Sequence, residues 1–439
     1  MNLYKYVEKP SGALVLDPLR FWSTAYRPLG AWFYVPIYRI FGLNSLPYRL
    51  VCFALLGCNL LLLYRLILGL TGLREVALVA TFLGSYHAWF IDLYYSAGTI
   101  YELLCYGLYL GALLLYMRAR SRGRALTGWE LAGVAGLYVL ALDAKEMAVS
   151  FPVVLAAYEC LFPGRPGRTW LARVTRDAPA VWITAAITAV YIAGKLTGPD
   201  SLALVPSYTP HFSAGRYLDT FHLYLNPLFY QENRFHDSNT VQLVLAMLLL
   251  GLWRRSRVLL LAWWWLLVTL LPVAFIGHYA AFFEYLPCVG WVLYLASALV
   301  AIRRWLVGLA RASPMWVRVS QALLMTGLAA FVAPQHIRET RRTLALYQSV
   351  QPPSREVVDV LTNLQPKLRR GGKVLFVDDP CPRDSYFLVF VTRLFYDDLT
   401  VQVDRAKITP VPPAEYRRYD SIFRFGDGGL KRLTRRGEP

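Results

Sequence analysis

The chain has 439 residues, of which 56% are hydrophobic and only 17% charged, with a formal net charge of +18. Its apolar residues come in long runs rather than periodic stripes, which excludes a soluble globular protein and points to a polytopic membrane protein. The positive charge does not call for nucleic acid, because most arginines fall in short loops between apolar runs, where the positive-inside rule places them.

The first segment, 1–45, opens with "MNLYKYVEKPSG" and carries Lys5, Lys9, Arg20, Arg27 and Arg39. It shows no signal peptide and no preceding span to deliver it across the membrane, so an upstream helix missing from this start is expected. Residues 28–43 (PLGAWFYVPIYRIFGL) include two prolines and Arg39. They read as an amphipathic helix lying on the outer leaflet.

A span needs about 20 apolar residues. Runs of that order fall near 46–68, 75–91, 97–117, 178–197, 257–276, 279–301 and 315–333, with a shorter one at 239–252. The run from Thr127 to Phe162 is too long for one span and adequate for two short ones. Arg118, Arg120, Arg122 and Arg124 precede it, and Arg165, Arg168, Arg173 and Arg176 follow it. Both ends are therefore expected inside, so the run must cross, turn and return. The tetrad "DAKE" (Asp143–Glu146) then becomes the outer tip of a hairpin, where its charges cost little. Arg254, Arg255 and Arg257 mark another inside loop, and Arg303, Arg304, Arg311 and Arg318 a third. The loops at 92–98, 198–238 and 277–285 are poor in base and fall outside. About ten spans are expected within a transmembrane domain at 46–333, with both termini on the outer face.

From 334 the composition changes. "KVLFVDD" and "LTVQVD" read as strands flanking the helix "RDSYFLVFVTRLFYDD", and "SIFRFGDGGLKRL" as a hairpin with a Gly turn. The expected fold is thus an all-α polytopic bundle followed by a small soluble α/β domain at 334–439. The six cysteines form no disulfide framework, five of them lying inside apolar runs and Cys381 outside.

Polar groups gather at the outer ends of the spans: Asp92, Glu102, Lys145, Glu146, His278 and Glu284. Chemistry on a lipid-linked substrate needs such a cluster near the headgroup plane. A carboxylate there can take a proton from an acceptor hydroxyl, and Arg or Lys can neutralise a leaving phosphate. Each residue also has a plainer role. Asp92 stands beside Tyr94 and Tyr95, which mark a water interface. Lys145 and Glu146 can pair with each other at an exposed tip, a contact worth little. "VDD" at 377–379 and "YDD" at 396–398 suit a strand end and a helix end better than a metal. The histidines lack paired spacing, so no metal ligand is assigned.

Four stretches together resemble GT-C-type membrane glycosyltransferases, in the branch of the protein O-mannosyltransferases and the TPR-bearing transmembrane O-mannosyltransferases with their bacterial relatives. They are "YRPLGAWFYVPIYRIFGLNSLPYRL" (26–50), "YHAWFIDLYYSAGTIYELL" (86–104), "LDAKEMAVSFPVVLAAYE" (142–159) and "FFEYLPCVGWVLYLA" (282–296). Their order agrees over residues 26–301. The resemblance implies a polyprenyl-phosphate-linked sugar as donor, an acidic base in the first outer loop, and the lipid phosphate as leaving group. Arg27 matches the arginine of the family's RPL motif, Lys145 and Glu146 its KE pair, and Glu284 the acid before YLP. The family's adjacent acidic pair upstream of RPL has no counterpart, since only Glu8 and Asp17 stand there. Either the pair precedes Met1, or Asp17 substitutes, or the chain is inactive. TPR repeats are also absent, so the acceptor need not be a protein.

The expected activity is transfer of a sugar from that donor to a protein or glycan at the outer face of a bacterial plasma membrane. The expected catalytic acids are Asp17, Asp92 and Glu284. Arg27, Glu102, Lys145, Glu146 and His278 are the expected residues for the donor phosphate or substrate. No cofactor is required by this reading, although the phosphate leaves room for a divalent metal. The expected partners are membrane lipid, lipid-linked sugar and the acceptor, with no nucleic acid. The competing expectations are an O-antigen polymerase or ligase acting on a diphosphate donor, a transporter, and an inactive relative that only binds the lipid-linked sugar.

Overall fold

The computed structural model describes residues 2–9, 16–17, 21–22, 27–85, 87, 90–162, 178–197, 209–229, 235–276, 280–310, 313–350, 352–364, 367–426 and 429–433. Single turns aside, the helices begin with α1 (Asn2–Val7), α2 (Gly30–Phe41), α3 (Ser45–Thr71), α4 (Arg74–Ser85) and α5 (Ile100–Arg120). They continue with α6 (Gly128–Ala144), α7 (Phe151–Leu161), α8 (Pro179–Thr197), α9 (Ala214–Leu228) and α10 (Asp237–Trp253). Next come α11 (Arg257–Val268), α12 (Cys288–Leu309), α13 (Pro314–Val350) and α14 (Pro352–Leu364). The chain closes with β1 (Lys373–Val377), α15 (Phe387–Phe395), β2 (Gln402–Arg405), β3 (Ser421–Gly426) and β4 (Gly429–Leu433).

Two compact units result, one of residues 15–30 and 49–340, the other of 1–14, 31–48 and 341–439. The first is a helical bundle. Among the described residues six helices are long and apolar enough to cross a bilayer, at Ser45–Thr71, Ala97–Arg120, Pro179–Thr197, Arg257–Ala274, Cys288–Leu309 and Pro314–Leu346. The expected count of about ten is therefore corrected. Apolar runs in sequence continue through helix breaks that the backbone respects. The run at 75–91 yields only the 12 residues of α4, about 18 Å of helix at 1.5 Å per residue. The long run at 127–162 yields arms of 17 and 11 residues, and α10 has 17.

The bundle is organised around α5, whose most apolar window is 67% buried, against 6% for α13. Arg118 and Arg120 in its last turn suit the negative end of the helix dipole. Thr127 starts α6 with a capping box, its hydroxyl accepting from the Glu130 N–H while Glu130 accepts from the Thr127 N–H. α6 then runs antiparallel to α5, so that Gly133 lies against Leu115 and Gly111 against Leu137. The chain turns at Lys145, and α7 returns beside α5: Tyr109 meets Ser150, and Tyr116 and Arg120 meet Glu159. The run thus turns and returns along α5, although neither arm is among the helices long and apolar enough to cross a bilayer. Elsewhere α12 lies directly on α11. A Cβ at Gly290 would come within 2.6 Å of the Ala262 carbonyl oxygen, so this approach requires glycine.

In the second unit the strands follow the order β2-β1-β3-β4, with β1 parallel to both neighbours and β4 antiparallel to β3. All four strands and the helix α15 fall where the sequence places them. Val374, Phe376 and Phe423 point to one face, packing on Val357 and Leu361 of α14 and Leu388 of α15. Leu375, Val377 and Ile422 point to the other, against Tyr416 and Tyr419. The ends of the chain meet here. Tyr4 of α1 and Tyr38 of α2 pack on Leu394, the Tyr4 ring lies 4.4 Å from that of Phe390 at a tilt of 31°, and Arg39 pairs with Asp397 at 3.1 Å. The aromatic face of α2 is therefore covered by protein. The sequence-based divisions at 45 and 334 do not coincide with this grouping, and α13 runs unbroken through 334.

The acid pairs of this unit have structural partners. Asp379 is buried against Arg405 at 2.6 Å, and Asp398 accepts from the Gly371 and Thr400 N–H groups.

Candidate functional site

At one end of the bundle the chain brings three separated stretches together. The α6 helix stops at Ala144, and Lys145 adopts an extended backbone with φ −161° and ψ 143°. A single 3-10 turn, Glu146–Ser150, leads into α7. This turn packs against the first turn of α5, which supplies Glu102. The segment at 27–30 closes over the same place, where the Leu29 N–H donates to the Asp143 carbonyl at 3.4 Å. Arg27 itself takes a left-handed φ of 43°, a region that costs energy for any residue with a Cβ and marks a held conformation.

Two ion pairs result. Lys145 Nζ donates to Glu102 Oε1 in a pair whose side chains are 1% and 5% exposed. Arg27 Nη2 meets Glu146 Oε1 at 2.7 Å, with side chains 13% and 26% exposed. Aromatic faces complete both. The Lys145 ammonium lies 4.1 Å from the ring of Phe283 and 5.0 Å from that of Phe282, and the Arg27 guanidinium lies 5.1 Å from that of Tyr101. The Phe rings arrive on a 3-10 turn, Ala281–Tyr285. Tyr285 stacks 4.1 Å from Tyr106, one turn below Glu102 on α5, and holds that turn in place.

Burial pulls the Lys145 ammonium below the ordinary lysine range, against the opposing pull of Glu102. Burial would raise the Glu146 carboxyl, but Arg27 and then Lys145 outweigh it and hold Glu146 down to about 2. The site thus sets two basic side chains against two acidic ones, with the more open pair at Arg27.

Four of the expected residues, Arg27, Glu102, Lys145 and Glu146, come together. Glu284 is buried on the turn whose Phe283 caps Lys145. Asp92, which opens the single turn Asp92–Tyr95, and Asp17 lie half-exposed outside this set. His278 falls outside the described residues. Among the described residues no three His, Cys, Asp or Glu side chains converge to hold a metal.

One expectation is corrected. An exposed hairpin tip would leave "DAKE" wet, whereas Asp143 and Lys145 are each 1% exposed. Flanking helices and the turn at 281–285 cover the tip, so desolvation is a real cost here. Sequence reasoning also missed Tyr101, Phe282 and Phe283 as walls of the site, and Tyr191 and Lys195 of α8, which interact electrostatically with its acids. Only Lys195, a base near the end of an apolar run, carried a visible signal.

The other end of the bundle is a different environment. Arg120 makes a forked pair with Glu159, at 2.7 and 2.6 Å, and Tyr116 donates to the same carboxylate. Arg303 of α12 pairs with Glu75 of α4 at 2.6 Å and donates to Ser320 of α13. Arg120 and Arg303 thus mark one end of the bundle, and the Lys145 cluster occupies the opposite one. Comparison with family models, with curated proteins and with solved structures found no match to this chain.

Proposed function

We propose that the chain is a GT-C-type membrane glycosyltransferase that moves a sugar from a polyprenyl-phosphate carrier to an acceptor at the outer membrane face. The observation that carries this reading is the meeting of Arg27, Lys145, Glu102 and Glu146 at the end of the bundle away from the Arg120–Glu159 pair. Transfer joins the acceptor oxygen to the anomeric carbon and breaks the bond from that carbon to the phosphate oxygen. Negative charge grows on the departing phosphate, and the acceptor hydroxyl loses its proton. Arg27, the more exposed cation, meets the phosphate first, with Lys145 behind it. Glu102 and Glu146 hold the two basic side chains in position before the donor arrives. Glu284 is the acid we assign to accept the proton, with Asp92 and Asp17 as the alternatives on neighbouring segments.

The test is reconstitution of the full chain in lipid nanodiscs with decaprenyl-phosphate mannose, glucose or galactose and a bacterial cell-envelope extract as the source of acceptor hydroxyls. Release of decaprenyl phosphate is expected with one of them, and at least a hundredfold loss of that release in Glu284→Gln at equal protein yield. No release from any monophosphate donor would sink the reading. Turnover of a diphosphate-linked glycan alone would point instead to a polymerase or ligase. Unchanged release in Glu284→Gln would remove the assigned acid.

A further inference from the structure

Most buried acids of this protein have evident protein partners. Glu159 accepts from Arg120 and Tyr116. Asp379 accepts from Arg405 and from the Cys381 N–H. Glu102 accepts from Lys145. Asp143 breaks this pattern. It sits in the last turn of α6, it is 1% exposed, and neither carboxylate oxygen accepts a hydrogen bond among the described residues.

A buried carboxylate without donors costs several kcal/mol. Such a group persists where something other than the fold uses it, and a buried polar group left unsatisfied is a functional candidate on those grounds. Its surroundings narrow the choice. Lys195 of α8 is within electrostatic reach, and Tyr191 of the same helix experiences Asp143, Glu146 and Arg27 together. Asp143 therefore lies on the side of the turn that faces Lys195 and Tyr191 of α8. The backbone carbonyl of the same residue holds the 27–30 segment through the Leu29 N–H. Burial pushes the Asp143 carboxyl up to about 8, so near neutrality it is largely a neutral acid that can both accept from and donate to hydroxyls. Its two oxygens have no hydrogen-bond partner among the described residues, which suits neighbouring sugar hydroxyls.

We propose that Asp143 accepts hydrogen bonds from hydroxyl groups of the sugar on the lipid-linked donor, so that it reads the sugar while Arg27 and Lys145 read the phosphate. This rests on the glycosyltransferase reading above and adds a specificity-determining residue to it. Asp143 has no part in the proton transfer assigned to Glu284.

The test measures binding to the full chain in nanodiscs of two probes, decaprenyl phosphate and decaprenyl phosphate carrying mannose, glucose or galactose in turn. Wild type is expected to bind one of the hexose-bearing lipids more tightly than bare decaprenyl phosphate. Asp143→Leu is expected to bind decaprenyl phosphate as wild type does and the hexose-bearing lipid at least tenfold more weakly. Asp143→Asn, which keeps one acceptor oxygen, is expected to lie between them and guards against a folding defect in the leucine variant. Equal loss for both probes, or no loss for either, overturns the role of Asp143 and leaves the glycosyltransferase reading standing. Wild type that binds no polyprenyl lipid overturns both.

Discussion

Lys145 and Glu102 form an ion pair in which the two side chains are 1% and 5% exposed, with the Phe283 ring 4.1 Å from the ammonium. A pair so buried behaves differently from a surface bridge. Removing one partner strands the other charge in a medium that cannot solvate it, at about 3–5 kcal/mol, while replacing both with apolar groups is often neutral.

Lys145→Ala is accordingly expected to lower stability by about 3–5 kcal/mol, whereas Lys145→Met combined with Glu102→Gln recovers most of that loss. Thermal unfolding in detergent measures both. A loss below about 1 kcal/mol for Lys145→Ala would mean that the pair is solvated like a surface bridge.

Glu146 links the site to pH. Its folded carboxyl is held down to about 2, burial being outweighed by Arg27 and Lys145, against roughly 4.3 for a free glutamate. A depressed folded value means that the stabilisation is complete above the free value and disappears as pH falls through the folded one. The Tm advantage of wild type over Glu146→Gln should stay constant from about pH 7 to pH 5 and close between about pH 4 and pH 2. A gap that closes near neutrality would show that Arg27 does not hold this carboxylate.

Arg120 and Glu159 provide a contrast at the far end of α5, about 27 Å from Glu102 at 1.5 Å per residue. Arg120→Met should cost about 3–5 kcal/mol by stranding Glu159. The folded fraction should nevertheless bind decaprenyl phosphate within about twofold of wild type, because no site residue moves. A tenfold loss in a quantitative binding assay would tie this end to the site.

Gly290 and Gly136 test the packing of the bundle. A Cβ at Gly290 would meet the Ala262 carbonyl at 2.6 Å, while one at Gly136 meets nothing within 4 Å. Gly290→Ala should therefore destabilise by about 1–3 kcal/mol through overpacking. Gly136→Ala should stabilise by up to about 1 kcal/mol through helix propensity. Equal effects in thermal unfolding would show that α11 and α12 are not in backbone contact.

Much of this architecture was legible in the residues. The strands of the C-terminal unit follow from alternating apolar positions such as Val374 and Phe376 against Leu375 and Val377, and their turn from the glycines at 426 and 429. The return of the 127–162 run follows from arginines at both of its ends. Lys145 and Glu146 stood out as charges within an apolar run and Arg27 through the resemblance to a known pattern; nothing in their spacing says which acid meets which base. The span count was misread because hydropathy sums across a break such as Ser85, where the helix ends although the apolar run continues.

Composition and run length were enough to establish a helical membrane protein with a small α/β unit, because both depend on local preference and on the energy of moving side chains out of water. The pairing of Lys145 with Glu102 and of Arg27 with Glu146 was decided by the tertiary structure alone. So were the burial of Asp143 and the joining of α1 and α2 to the C-terminal sheet. These depend on which distant segments share a place, and the cost of a charge is set by the atoms that surround it there rather than by its neighbours along the chain.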